Sequence, residues 1–214
     1  MIKAVLFDFG GVVTSSPFEA FAQYERDNDL PPDLIRTINS TNPDSNAWAK
    51  LERSDVDADG FAALFEEEAR ARGHRVSGHA VLDCLAGSVR PQMVSAIARI
   101  KDAGLAVACL TNNFTPRSER EDQGSGTGAV MAMFDVLVES SVVGIRKPEP
   151  AFYTTALDQL GVDASEAVFL DDLGINLKPA RAMGITTIKV VDPDQALGEL
   201  STVIGIDLLA APTG

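Results

Sequence analysis

Cysteine and histidine are nearly missing, with two of each in a chain of 214 residues. Cys84 and Cys109 are too few for a disulfide framework or a zinc site, and a reducing, cytoplasmic setting is the expectation that follows. His74 and His79 lie in a polar stretch with no third ligand in view, which reads as surface rather than as a metal site. No apolar run approaches the roughly 20 residues needed to cross a bilayer. The start of the chain does not read as a secretory signal either, because Asp8 interrupts the few apolar residues after Lys3. Basic residues are scarce: 18 Lys and Arg stand against 31 Asp and Glu, a formal net charge of −13. That opposes binding to nucleic acid or to an anionic membrane, both of which need a basic face. A small anionic substrate is still admitted, because one lysine or metal ion reverses the field inside a cleft.

What the chain does have is a set of short apolar runs: AVLF at 4–7, LAVACL at 105–110, FDVLVES at 134–140, AVFL at 167–170 and TTIKVV at 186–191. They lack clean polar alternation, as strands do when a sheet is covered on both faces. Helical patterns lie between some of them, over 91–104, 150–161 and 176–184. The second of these starts at Pro150 and stops at Gly161, the asymmetry expected of a helix. Strand and helix in alternation predict an α/β fold with a Rossmann-like parallel sheet.

Residues 16–88 contain no convincing strand, and two stretches within them have helical periodicity. The expected division is therefore a core made of 1–15 and 89–214, with a helical cap at 16–88 inserted after the first strand. Phe18, Phe21, Tyr24 and Trp48 fall in this insertion and read first as packing residues. The glycine-rich EDQGSGTGA at 121–129 does not directly follow a strand and lacks phosphate-loop spacing, so it reads as a flexible loop.

Four predicted strands finish in, or are followed by, polar residues of one kind. The first ends at Asp8, the second at Thr111 and Asn112, and the fourth at Asp171 and Asp172; Lys147 follows the third. Ligands of open parallel sheets bind at the carboxyl ends of the strands, so these distant residues should converge. Three carboxylates in one pocket raise each other's pKa, and a divalent cation relieves the repulsion. An all-oxygen set without His or Cys favours magnesium. Lys147 adds a fixed positive charge, and Thr111 and Asn112 add neutral donors, a set suited to a phosphoryl group in transfer. Taken singly, each piece reads as a turn, a helix cap or a solvated side chain; together and in this order they point to a site.

The stretches VLFDFGGVV, CLTNN, RKPEP and FLDDLGINLKPARAMGI resemble the four motifs of the haloacid dehalogenase-like hydrolase superfamily. The long tail from the fourth stretch onward is similar to the phosphatase domain at the N-terminus of soluble epoxide hydrolases. The chain stops at Gly214, which leaves no room for an epoxide hydrolase domain, so epoxide hydrolysis is not expected. The resemblance implies a Rossmann-like core with a helical cap and a mechanism through an aspartyl-phosphate on Asp8. It implies magnesium held by Asp8, the main-chain carbonyl of Gly10 and Asp172, with Asp171 acting through water. It further implies that Thr111, Asn112 and Lys147 hold a small phosphorylated substrate, that Lys147 orients Asp8, and that Asn176 supports the fourth motif.

Gly10 departs from the pattern. Most phosphatases of the superfamily carry a second Asp there, which protonates the leaving oxygen and then activates water. A main-chain carbonyl survives in glycine, but the acid–base group, typically worth about 10²–10⁴ in rate, does not. Three readings stay open: a phosphatase that manages without this acid, a protein that binds a phosphorylated ligand or a partner with little turnover, and a metal-independent dehalogenase. Glu19 and Asp55 are cap residues able to supply a proton.

Overall fold

Five short strands form one parallel sheet: β1 Ala4–Phe7, β2 Ala106–Thr111, β3 Val136–Glu139, β4 Ala167–Asp171 and β5 Thr186–Lys189, in the order β3-β2-β1-β4-β5. The computed structural model describes residues 1–85, 87–113 and 126–209, and all of their side chains except that of Glu19. The core is built on the period of two. Val5, Phe7, Val107 and Cys109 face one layer, where they meet α6 (Pro91–Asp102) and α11 (Pro193–Ile204). Ala4, Leu6, Ala108 and Leu110 face the other, against α9 (Pro150–Leu160) and α10 (Gly174–Ala182). Both faces are apolar because both are covered, which is why these strands carry no polar alternation. Burying each such Leu or Phe contributes about 1.5–3 kcal/mol.

The strands match the sequence expectation to within a few residues. The second extends through Thr111, the third stops at Glu139 because Ser140 leaves the sheet to begin α8 (Ser140–Val143), and the fifth stops at Lys189. The helix expected from Pro150 runs as predicted, with Pro150 in its first turn and Gly161 left-handed at its end (φ 66°). Of the glycine-rich stretch, residues 121–125 lie outside the described residues, while Thr127–Met131 forms a short helix, α7, rather than loop.

Among the described residues, five α-helices lie between β1 and α6: α1 Pro17–Asp27, α2 Leu34–Ser40, α3 Ala47–Glu52, α4 Ala58–Arg70 and α5 Gly78–Asp83. Local chemistry starts them. Ser16 accepts from Phe18 N with Pro17 in the first turn, Asn46 accepts from Ala49 N, and Asp57 from Gly60 N. They share a hydrophobic cluster of their own, including Phe21, Ile35, Leu51, Phe61 and Phe65, with Phe18, Tyr24 and Trp48 packed against it. Phe21 is buried and Trp48 stacks edge-on to Phe61 at 5.5 Å, as their packing role predicts. His79 is exposed and sits 3.3 Å from Asp59. The two connections to the sheet run side by side: Thr14 pairs antiparallel with Val89, and Ser15 N donates to Ser88 O at 2.8 Å. A Cβ on Gly87 would lie 2.8 Å from the Ser15 carbonyl oxygen, so the close approach requires glycine there. Among the described residues, no helix is long and apolar enough to cross a membrane.

Candidate active site

The sheet's carboxyl edge brings the singled-out residues together. Asp8 continues the ladder past β1, its N–H donating to Leu170 O at 2.9 Å, which plants its side chain beside the end of β4. Its Oδ1 accepts from Phe9 N at 2.6 Å and lies 2.8 Å from Lys147 Nζ. Among the described residues no donor reaches Oδ2. The chain then turns through Phe9–Val13, with Gly11 at φ 81°. A Cβ on Gly11 would stand 2.4 Å from Asp172 Oδ2, so this glycine is what lets the first and fourth motifs meet. Gly10 differs: it is exposed, has ordinary φ and ψ (−72°, 128°), and a Cβ there would touch nothing within 4 Å.

Lys147 is 1% exposed and stands between two carboxylates, with Nζ 2.8 Å from Asp8 Oδ1 and 2.8 Å from Asp171 Oδ2. Burial alone would lower its pKa, but Asp171 and Asp8 outweigh burial and hold the ammonium firmly protonated. Asp171 is fully buried and its oxygens are committed. Oδ1 accepts from Leu173 N (2.7 Å) and Asn176 Nδ2 (3.1 Å), and Oδ2 from Lys147 and Asn176 Nδ2 (3.0 Å). Asn176 is itself steadied by the Tyr153 hydroxyl, which donates to its carbonyl at 2.7 Å. Thr111 is buried at the end of β2. The Asn112 amide is directed at the Lys147 main chain: Oδ1 accepts from Lys147 N at 2.9 Å and Nδ2 donates to Lys147 O at 3.0 Å.

Asp8, Asp171 and Asp172 each offer an oxygen within 4.8 Å of the others. Burial pushes the Asp8 carboxyl up, Lys147 opposes this, and Asp171 and Asp172 push it further. Asp172, half-buried, is pushed up to about 6, by burial first and by the Asp171 charge second. Such a cluster fits a hard divalent cation, which would offset the repulsion and return the carboxyls to their ionised form. Because Asp171 is occupied by protein donors, Asp8 and Asp172 are the carboxylates with oxygen left to offer.

Other residues at this edge carried no motif signal. Glu52, the last residue of α3, reaches the site from the insertion: it accepts from Trp48 Nε1 at 3.0 Å and from Asn112 Nδ2 at 3.4 Å. Its Oε2 lies 2.7 Å from Arg146 Nε, an ion pair by distance that lacks hydrogen-bond alignment. Burial raises the Glu52 pKa, with Arg146 opposing. Asn113 donates to Glu139 Oε1 at 2.6 Å and both donates to and accepts from Ser140 Oγ at 2.9 Å, tying the end of β2 to the end of β3. Only the four-residue step from Trp48 to Glu52 was readable, as two neighbours on one helix face. Asp55 is exposed just after α3, and the side chain of Glu19 lies outside the described residues. Residues 114–125 also lie outside the described residues.

Known proteins are similar to this chain in sequence and in fold. Pig bifunctional epoxide hydrolase 2 is 30% identical over 99% of the chain, which covers 40% of that protein. A sesquiterpene phosphatase of Aspergillus oryzae, astK, is 28% identical over 95% of the chain and 97% of its own length. The chain spans only 19% to 40% of the length of four mammalian relatives it matches. In fold it is similar to a haloacid dehalogenase family enzyme of Bacteroides thetaiotaomicron solved with magnesium and inorganic phosphate, at TM-score 0.59 and 19% identity, over 88% of this chain and 94% of that one. Residues 2–184 match the sequence profile of the haloacid dehalogenase-like hydrolases, and the chain belongs to that family of hydrolases.

Proposed function

We propose that this protein is a magnesium-dependent phosphatase that hydrolyses a small phosphorylated molecule through a phosphorylated Asp8. The observation that carries the reading is the single buried ammonium of Lys147 set 2.8 Å from both Asp8 and Asp171, with Asp172 alongside. Lys147 holds Asp8 by Oδ1, which leaves Oδ2 as the attacking oxygen. The P–O bond to the leaving group breaks as the Asp8–phosphorus bond forms, and water then cleaves the acyl phosphate. Asp8, the Gly10 carbonyl and Asp172 would hold magnesium, while Asp171, its oxygens taken by Lys147, Asn176 and Leu173 N, would act through its charge rather than through water as the resemblance implies; bound there, the ion would supply charge neutralisation at the phosphoryl oxygens. Thr111, the Asn112 segment and Lys147 would receive those oxygens, and the helices of residues 16–88 would cap the site. The whole-length relative named as a phosphatase and the fold neighbour seen with magnesium and phosphate support this reading.

A second reading, a protein that binds a phosphorylated ligand with little turnover, is favoured by the bare backbone at Gly10. The deciding experiment is hydrolysis of p-nitrophenyl phosphate, whose good leaving group needs little acid, with magnesium, with chelator, and with Asp8→Asn. Magnesium-dependent turnover lost in the variant supports the phosphatase. Folded, magnesium-binding protein without turnover moves the assignment to ligand binding, and turnover that survives chelation removes magnesium from the mechanism.

A further inference from the structure

Several contacts join the helical insertion to the core, and one set of them runs through Glu52. It is 6% exposed, and its oxygens are divided between the two sides. Oε1 accepts from Trp48 within the insertion at 3.0 Å. Oε2 faces the core, 2.7 Å from Arg146 Nε and 3.4 Å from Asn112 Nδ2. Arg146 precedes Lys147 in the chain, and Asn112 is bonded twice to the Lys147 main chain. One carboxylate oxygen of the insertion thus lies against Asn112, which is bonded to the Lys147 main chain, and against Arg146, the residue before Lys147.

We infer that Glu52 is a positioning residue for Lys147: acting through Asn112 and Arg146, it sets where the ammonium stands between Asp8 and Asp171, so that the site is complete only with the insertion seated. A plainer role, neutralising the half-buried Arg146, does not account for the shared Asn112. Arg146 also has a second hold on the insertion, donating from its guanidinium to Pro43 O at 3.1 Å. The nearby pair of Arg53 and Glu149, at 3.0 Å, also joins insertion to core but is more exposed and does not touch Asn112. It is therefore the natural control. The activity readout of this inference rests on the phosphatase reading, so a second readout is needed that does not.

The test uses Glu52→Gln, which keeps side-chain volume and an acceptor while removing the charge, and Arg53→Ala as the control. The readout independent of turnover is the side-chain ammonium signal of Lys147 in protein labelled with ¹⁵N-lysine, assigned by its loss in Lys147→Met. Burial between two carboxylates slows its proton exchange and makes it observable. The expected result is a shifted or broadened Lys147 signal in Glu52→Gln and an unchanged one in Arg53→Ala. On p-nitrophenyl phosphate, Glu52→Gln should lower kcat about tenfold with KM within about twofold, as expected when a group is misplaced rather than removed. An unmoved signal in folded Glu52→Gln overturns the inference, as does an equal effect from Arg53→Ala, which would reduce the contact to general anchoring. If the wild type has no turnover but Glu52→Gln moves the Lys147 signal, the phosphatase reading fails and the positioning role stands. If the wild type turns over and Glu52→Gln changes neither kcat nor the signal, the reverse holds.

Discussion

The Asn112 side-chain amide holds the Lys147 main chain by two hydrogen bonds, Lys147 N–H to Asn112 Oδ1 at 2.9 Å and Asn112 Nδ2 to the Lys147 carbonyl at 3.0 Å. An irregular loop is thereby fastened to the end of β2, and the lysine side chain enters the site with its stem buried and its ammonium between carboxylates. The arrangement stacks several interactions on one residue, so its loss has two separable effects.

Lys147→Met should lose stability as well as activity. It keeps the stem but leaves Asp8 and Asp171 without their counter-charge, and breaking a buried ion pair typically costs about 3–5 kcal/mol. Chemical denaturation of the metal-free variant should show a loss of this size. Added magnesium should restore part of it, since a cation among Asp8, Asp171 and Asp172 replaces some of the missing charge. A variant as stable as wild type would mean that Lys147 is not the counter-charge of this cluster.

The sheet and most of the site were legible because parallel strands impose an order that survives in sequence. Apolar runs without alternation announce a doubly covered sheet, and the polar residues at their ends must then share one edge. Asp8, Thr111, Asp171 and Asp172 are strand-end residues of this kind. Glu52 was not legible. It meets Asn112 and Arg146 only because α3 folds back over the loop before α9, and no local pattern encodes that approach. The fate of the Asn112 amide was hidden for the same reason. Its type suggests a donor to the phosphoryl group, while its partners in the fold are the Lys147 main chain and Glu52.

Gly11→Ala tests the meeting of the first and fourth motifs. The added Cβ would lie 2.4 Å from Asp172 Oδ2, and φ at this residue is 81°, so both the carboxylate and the backbone must shift. Magnesium affinity should fall about 10–100-fold, the usual effect of disturbing the support of a metal ligand. Isothermal titration with magnesium measures it directly. Unchanged affinity would take Asp172 out of the metal site.

The raised Asp172 carboxyl gives two pH effects of opposite sign. Magnesium needs both carboxylates, so affinity should already fall as pH drops below about 8, where the Asp8 carboxyl takes up its proton, and Asp172 should add up to about a further tenfold per unit below about 6. Without metal, the folded state binds this proton more tightly than the unfolded state does. The Asp172 contribution to stability therefore favours the fold at low pH and is lost as pH rises from the ordinary value of 3.8 through about 6. Thermal unfolding of metal-free protein and of Asp172→Asn over this range isolates the contribution as the difference between the two curves. A difference that does not change with pH would place the Asp172 titration elsewhere.

Gly10→Asp should supply the missing acid–base group without disturbing the fold. The position has φ −72° and ψ 128°, which any residue adopts, and a Cβ there meets nothing within 4 Å. The new carboxyl stands two residues from Asp8, at an exposed position between the buried Phe9 and Gly11. Its benefit should depend on the leaving group. p-Nitrophenolate departs without a proton, so turnover of p-nitrophenyl phosphate should change little. An alkyl phosphate leaves as an alkoxide unless protonated, so its turnover should rise toward the 10²–10⁴-fold typical of general acid–base catalysis. The ratio of kcat/KM for the two substrates, in wild type and variant, measures the effect free of differences in protein quality. A ratio that does not move would show that the missing carboxyl at position 10 does not limit turnover, and that the proton comes from another group or from the substrate itself.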